Sequence, residues 1–148
     1  MPQWIVIAAL AALSSGALAA TPAQEKAFVD GYRTAYEGSN AKALHALLYT
    51  KGADPQALEF YRMMMTEGMG AKVSSIALET LTADDRKNAA STMPGPGGRS
   101  YRLTLVPVKK LVIKRASQGS SGSSVQTSTV FVGEADGRLV IPVPGPAK

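Results

Sequence analysis

Apolar residues near the start of the chain recur at helical spacing. Phe28, Val29, Tyr32, Ala35 and Tyr36 fall on one side of a helix, and Lys26, Asp30, Arg33 and Glu37 fall on the other. The polar side is spaced at three and four residues, which suits a ladder of ion pairs in water. Thr21-Pro22-Ala23-Gln24 supplies an N-cap, a proline in the first turn and a glutamine at the third helical position. Together these predict a capping box at the helix start. Gly38 offers a stop, and Ser39 or Asn40 a new cap for a short helix with Leu44, Leu47 and Leu48 facing inward. Asp54-Pro55 opens a third helix, ALEFYRMMMTE, that ends near Gly68 or Gly70.

The period then changes from helical to alternating. Residues 72–81 read as a strand, and residues 82–99, ending in MPGPGG, as a loop. Tyr101 to Arg115 reads as a strand with an edge, bulge or break at Pro107. Residues 118–124, QGSSGSS, read as a flexible connector, and Val125 to Gly133 as a further strand. GEADG, residues 133–137, is a hairpin turn leading to a return strand over Arg138 to Val143. The order is three helices followed by about four strands able to pair antiparallel, an α+β pattern with helices on one face of a curved sheet. It is expected to form one domain over residues 20–143. Residues 144–148 are expected to form a flexible, proline-rich tail that cannot pair along its length.

The extreme N-terminus belongs to a different class. Ile5 to Leu13 is a nine-residue apolar run, too short to span a bilayer comfortably. It is followed by SSGALA, with Ala17 and Ala19 at the small-residue positions a signal peptidase requires. The pattern predicts an export signal over residues 1–19, cleavage after Ala19, and a periplasmic or secreted protein with no stable membrane insertion afterwards. No Lys or Arg precedes the run, so an uncleaved anchor or a buried helix is the alternative.

Composition narrows the chemistry. The 148 residues hold no cysteine and one histidine, so disulfides, thiolate chemistry and the usual nitrogen–sulfur metal clusters are excluded. Glu134 and Asp136 lack the further acidic ligands of a calcium loop; no metal and no cofactor is expected. The net charge of +5 is unevenly spread. Residues 21–85 carry six basic and nine acidic side chains, whereas residues 86–148 carry ten basic and two acidic. Either the basic half meets an anionic partner or the acidic half lies against it. Nucleic acid fits poorly, because no aromatic residue stands among the cations between Arg102 and Arg115.

The segment FVDGYRTAYEGSNAKALHALL, residues 28–48, together with the late VFVGEADGRLVI, residues 130–141, resembles the nuclear transport factor 2-like superfamily and its SnoaL-like members. Phe28, Tyr32, Ala35-Tyr36, Gly38-Ser39-Asn40 and Ala43-Leu44 occupy the places of that family's opening helix and turn. The resemblance implies a cone, in which a bent sheet wraps the long helix and leaves a pocket at the open end, and dimers that pair through the outer sheet face. The family hosts enzymes, binders and assembly proteins alike, so the resemblance speaks to fold more than function.

Within that frame Phe28, Tyr32, Tyr36, Tyr61 and Met64 are the candidate pocket residues. Tyrosines bring apolar bodies with polar tips, and methionines adapt to varied contacts. The competing reading is that the stripe is ordinary core. In the strand from Tyr101 to Arg115, Val106, Val108 and Val112 share the second face with Arg102, Lys110 and Lys114, three candidate anion or partner-face residues. A partner covering that face would account for the valines. No catalytic set is identifiable. His45 and Asp30 lie at or beyond the edge of their apolar faces, and Glu25 sits in a first turn where the helix dipole favours a carboxylate. The expectation is a non-enzymatic exported domain that binds a small apolar or amphipathic ligand or serves as a homodimeric interaction module. The alternative is an isomerase, dehydratase or hydrolase using pocket tyrosines and a carboxylate.

Overall fold

The computed structural model describes residues 20–147. The expected signal segment 1–19 and the last residue lie outside them. Helix α1 spans Pro22–Glu37. The Thr21 hydroxyl accepts from the Gln24 amide at 3.2 Å, and the Gln24 side chain accepts from the Thr21 amide at 2.9 Å, so the capping box is present. Phe28, Tyr32, Ala35 and Tyr36 are buried. On the outer side Lys26 pairs with Asp30. The helix stops at Gly38, its C-cap, Ser39 at φ 55 supplies the left-handed turn, and the Asn40 side chain accepts from the Ala43 amide to start α2, Ala41–His45. A two-residue strand β1, Leu48–Tyr49, follows; too short to carry a period, it has no signature in the sequence. Asp54 caps α3, Pro55–Thr66, by accepting from the amides of Gln56 and Ala57.

After α3 come β2 (Val73–Thr80), α4 (Ala83–Ala90), β3 (Met93–Pro94), β4 (Ser100–Leu103), β5 (Lys109–Gly119), β6 (Gly122–Ala135), β7 (Arg138–Pro142) and β8 (Pro144–Pro146). One sheet has the order β1-β7-β6-β5-β2, antiparallel except for the parallel β1–β7 edge. A second sheet has the order β3-β4-β8. The β6–β7 turn places Asp136 at φ 54 and Gly137 at φ 75, both left-handed, which suits an Asp-Gly hairpin turn whose twist matches the strands it joins. The molecule is α+β. Among the described residues it has eight strands in two sheets, against the expected four or so in one.

Four local differences from the expected elements matter for the site. Of the alternatives expected at Pro107 the structure has the break, and it divides two strands of different sheets: β4 stops at Leu103 and β5 starts at Lys109. Arg102 is thereby separated from Lys110 and Lys114, with which alternation had grouped it. Residues 82–99, expected as loop, contain α4, whose Thr82/Asp85 capping box is formed. That helix buries only Ala89, so it has almost no apolar stripe to reveal it. The Gly/Ser stretch 118–124 is the distal end of the β5–β6 hairpin, paired through Gly119 and Gly122. The proline-rich end is β8, not a free tail. Pro144 and Gly145 are buried, and pairing uses carbonyls that proline retains, with the Asp54 amide donating to the Pro144 carbonyl at 3.0 Å.

Leu44, Leu111, Val132, Ile141 and Val143 are fully buried, each contributing about 1.5–3 kcal/mol of hydrophobic stabilisation. Alternation along β5 sends Lys109, Leu111, Ile113 and Arg115 to the α1 side and Lys110, Val112 and Lys114 to the other. The two charge halves meet from both sides. Lys109 pairs with Glu25 of α1 at 3.2 Å, and Lys110 pairs with Asp85 of α4 at 2.7 Å. Part of the basic half is therefore answered within the chain, and the second face of β5 is not bare at Lys110.

The Lys110 ammonium, helped by the Thr82 amide, holds the Asp85 carboxyl at about 2, below its ordinary 3.8. A depressed carboxylate favours folding above its unfolded value, and that contribution is lost as pH falls from about 4 towards 2. Asp85→Asn is expected to lower the melting midpoint modestly near neutrality and to converge with the parent chain near pH 2. Thermal melts across that range check it; a constant difference at every pH would contradict the pairing.

Candidate functional site

The inner side of α1, the end of α3 and the middle of β5 and β6 enclose a cleft of about 70 Å³. Tyr32, Tyr36, Met64, Ile113, Arg115 and Ser128 are among the side chains that line it. Helical spacing brings Tyr32 and Tyr36 together one turn apart, their rings near-parallel with centroids 6.2 Å apart. Strand alternation brings Arg115 to the same side as Leu111 and Ile113.

Arg115 organises one wall. Its Nη1 donates to the Tyr36 hydroxyl oxygen at 2.5 Å and to the Glu67 carbonyl at 3.1 Å, and its Nη2 donates to the Ser128 hydroxyl at 3.0 Å. The Tyr36 hydroxyl in turn donates to the Glu67 carbonyl at 2.9 Å, and the guanidinium carbon sits 5.5 Å from the Tyr36 ring centre, within cation–π range. Gly68, at φ +72, makes this approach possible: a β-carbon there would come within 2.8 Å of the Tyr36 hydroxyl. Arg115 forms no ion pair among the described residues. Its Nε is buried without an acceptor, a state that costs free energy. Among the described residues the cation is thus held by neutral acceptors alone.

Tyr32 supplies a second polar group. It is 4 % exposed, lines the cleft, and its hydroxyl forms no hydrogen bond among the described residues. Burial pushes its phenol up to about 12, with the neighbouring Tyr36 adding and Arg115 opposing. Burial also raises Tyr61. Tyr32 therefore stays a neutral donor across physiological pH. Because its folded value lies above the unfolded one near 10, its contribution to stability is intact below about pH 10 and lost as pH rises towards 12. Tyr32→Phe is expected to flatten the stability decline over that interval, as measured by urea denaturation at successive alkaline pH values.

The cleft adjoins more apolar space. A neighbouring groove of about 240 Å³ shares Met64, Thr129 and Val130 with it and adds Phe60, Tyr61 and Phe131. Phe60 and Tyr61 also border a third groove, of about 410 Å³, with Met93 and Pro94. Phe60 is 55 % exposed and Met64 37 %, so α3 carries a run of large apolar side chains in contact with water.

The candidate residues separate as follows. Tyr32, Tyr36 and Met64 line the cleft, Tyr61 lines the adjoining grooves, and Phe28 is packed in the core without bordering any of these spaces. Arg102 is exposed on β4 beside a separate groove with Arg86 and Leu103, Lys110 is engaged by Asp85, and Lys114 is exposed. Of the groups weighed for catalysis, Glu25 pairs with Lys109, and an imidazole nitrogen of His45 lies 3.4 Å from the Arg62 carbonyl. Neither borders the cleft. Sequence reasoning did not single out Arg115 or Ser128. The signal for Arg115 was there: continuing the Leu111–Ile113 alternation puts an arginine on the inward face, where an unpaired cation is unusual.

Among the described residues no group of three or more His, Asp or Glu side chains could hold a metal ion, and no helix is long and apolar enough to cross a membrane. No protein-family model, no curated protein and no solved structure matches this chain.

Proposed function

We propose that this chain is an exported binding domain for a small amphipathic anion, a molecule with a carboxylate-type head and a short apolar body. The single observation that carries this reading is Arg115, a guanidinium without an acid partner among the described residues, in a cleft whose other lining is tyrosine, methionine and aliphatic side chains with the hydroxyl residues Ser128 and Thr129. A carboxylate seated beside it would gain a charge-assisted hydrogen bond in a poorly solvated place, and the free Tyr32 hydroxyl would donate a second. Met64 and Val130 continue the wall into the adjoining groove, where Phe60, Tyr61 and Phe131 offer apolar surface for the body of the ligand. The nuclear transport factor 2-like cone is the fold in which we place this pocket, and the export signal over residues 1–19 its route to the envelope. Binding, not turnover, is favoured because none of the carboxylates or the histidine weighed for acid–base work borders the cleft.

Octanoate is the probe. Titration calorimetry is expected to show saturable one-to-one binding to the chain from Ala20 onward, with octanol binding more weakly and octylamine not at all. Equal binding of all three would mean that the cation plays no part. No saturable binding of any would overturn the reading.

A further inference from the structure

We infer that the Ala19–Ala20 bond is a processing site whose product the fold retains, with the amino group released on Ala20 ion-paired to Glu134. The nitrogen of Ala20 lies 2.6 Å from Oε1 of Glu134, a contact across 114 positions of sequence. Glu134 is half-buried near the end of β6 and forms no ion pair with any Lys or Arg among the described residues. Ala20 is itself half-buried and packs against the core. One turn further on, the Gln24 side chain donates to the Gly137 carbonyl at 3.1 Å. The start of α1 is thus fastened twice to the β6–β7 hairpin.

Two independent lines meet at this nitrogen. Ala17 and Ala19 are the small residues a signal peptidase reads, and they put the cut immediately before Ala20. The fold, at the same atom, places a carboxylate that has no cation among the described residues. In the unprocessed chain the contact is an amide donating to a carboxylate. Hydrolysis by an envelope peptidase adds one water across the bond: the hydroxyl goes to the Ala19 carbonyl carbon and a proton to the Ala20 nitrogen. The new amine takes up a further proton at neutral pH, since free α-amino groups ionise near 8. A bare ammonium at the first turn of α1 would oppose the helix dipole. Glu134 neutralises it there and converts a neutral-donor contact into a charge-assisted one. Processing then tightens the junction between α1 and the last hairpin, which favours the released form over its precursor.

The experiment compares the chain beginning at Ala20 with its Nα-acetylated form, each with and without Glu134→Gln. Acetylation keeps the N–H and removes the charge. The free-amine chain is expected to melt roughly 3–5 °C above the acetylated one, and Glu134→Gln is expected to abolish that difference. Intact mass of protein exported from the full chain is expected to begin at Ala20. Equal midpoints, a higher midpoint for the acetylated chain, a difference that survives Glu134→Gln, or a mature start at another residue would each overturn the inference.

Discussion

Arg115→Met is expected to weaken octanoate binding roughly 10- to 100-fold, the equivalent of one charge-assisted hydrogen bond. Octanol binding should be nearly unchanged. Methionine keeps the reach and the apolar stem of arginine but neither its charge nor its donors. The Tyr36 hydroxyl can still donate to the Glu67 carbonyl, so one strut of that wall survives. The Ser128 hydroxyl loses the Nη2 donor and the Glu67 carbonyl loses Nη1. Arg115→Lys separates two explanations: lysine retains charge without the planar fork. Partial recovery of octanoate affinity by lysine, with methionine and lysine chains equally folded by circular dichroism, identifies the charge as the recognition element. If Arg115→Met binds octanoate as well as the parent chain while folding normally, the arginine serves only to brace Tyr36 and the amphipathic-anion reading fails.

Gly145→Ala is expected to be strongly destabilising. Gly145 sits in β8 opposite Arg102 of β4. A β-carbon there would lie 2.1 Å from the Gly52 carbonyl oxygen and 2.9 Å from the Thr104 γ-methyl. The first of these is backbone and cannot rotate away, so the strand must lift. We expect a loss of about 3 kcal/mol, at the upper end for an overpacked buried site. Gly137→Ala is the control. Its φ of +75 strains any L side chain, but nothing lies within 4 Å of the added carbon, so the cost should be nearer 1 kcal/mol. Urea denaturation of both variants decides it. Parent-like stability of Gly145→Ala would mean that the C-terminal strand is not packed against β4 and the loop after β1.

The two glycines also show which features were readable in advance. Asp136-Gly137 carries its turn in its own chemistry, because two consecutive left-handed residues need that dipeptide type. Gly145 is a close approach between segments almost a hundred residues apart, and nothing in PVPGPAK announces it. The same division runs through the elements. Helix α1 was legible in both boundary and inward face, since Thr21 and Gln24 act within one turn and aromatic residues recur every four positions at Phe28, Tyr32 and Tyr36. Helix α4 was not, although its Thr82/Asp85 box is equally local, because a surface helix that buries only Ala89 gives no periodic signal. At the candidate site, Tyr32 and Tyr36 could be placed side by side from spacing alone. Arg115 could be placed on their side of β5 only by carrying alternation past two residues of known burial.

The sequence by itself determined the local grammar of this protein: the capped helices, the alternating strands, the Asp-Gly turn and the opposed charge of its two halves. Each of these depends on interactions spanning only a few residues, or on composition. Only the tertiary structure decided that the strand from Tyr101 to Arg115 divides between two sheets, that Pro144 and Gly145 are buried, that Asp85 and Glu25 answer particular lysines, and that Arg115 has no acid partner among the described residues. The physical reason is common to all four. Pairing of strands, closure of a sheet edge and neutralisation of a charge are set by which distant segments share space, and backbone groups of proline or glycine segments can satisfy such contacts without any side-chain pattern to report them.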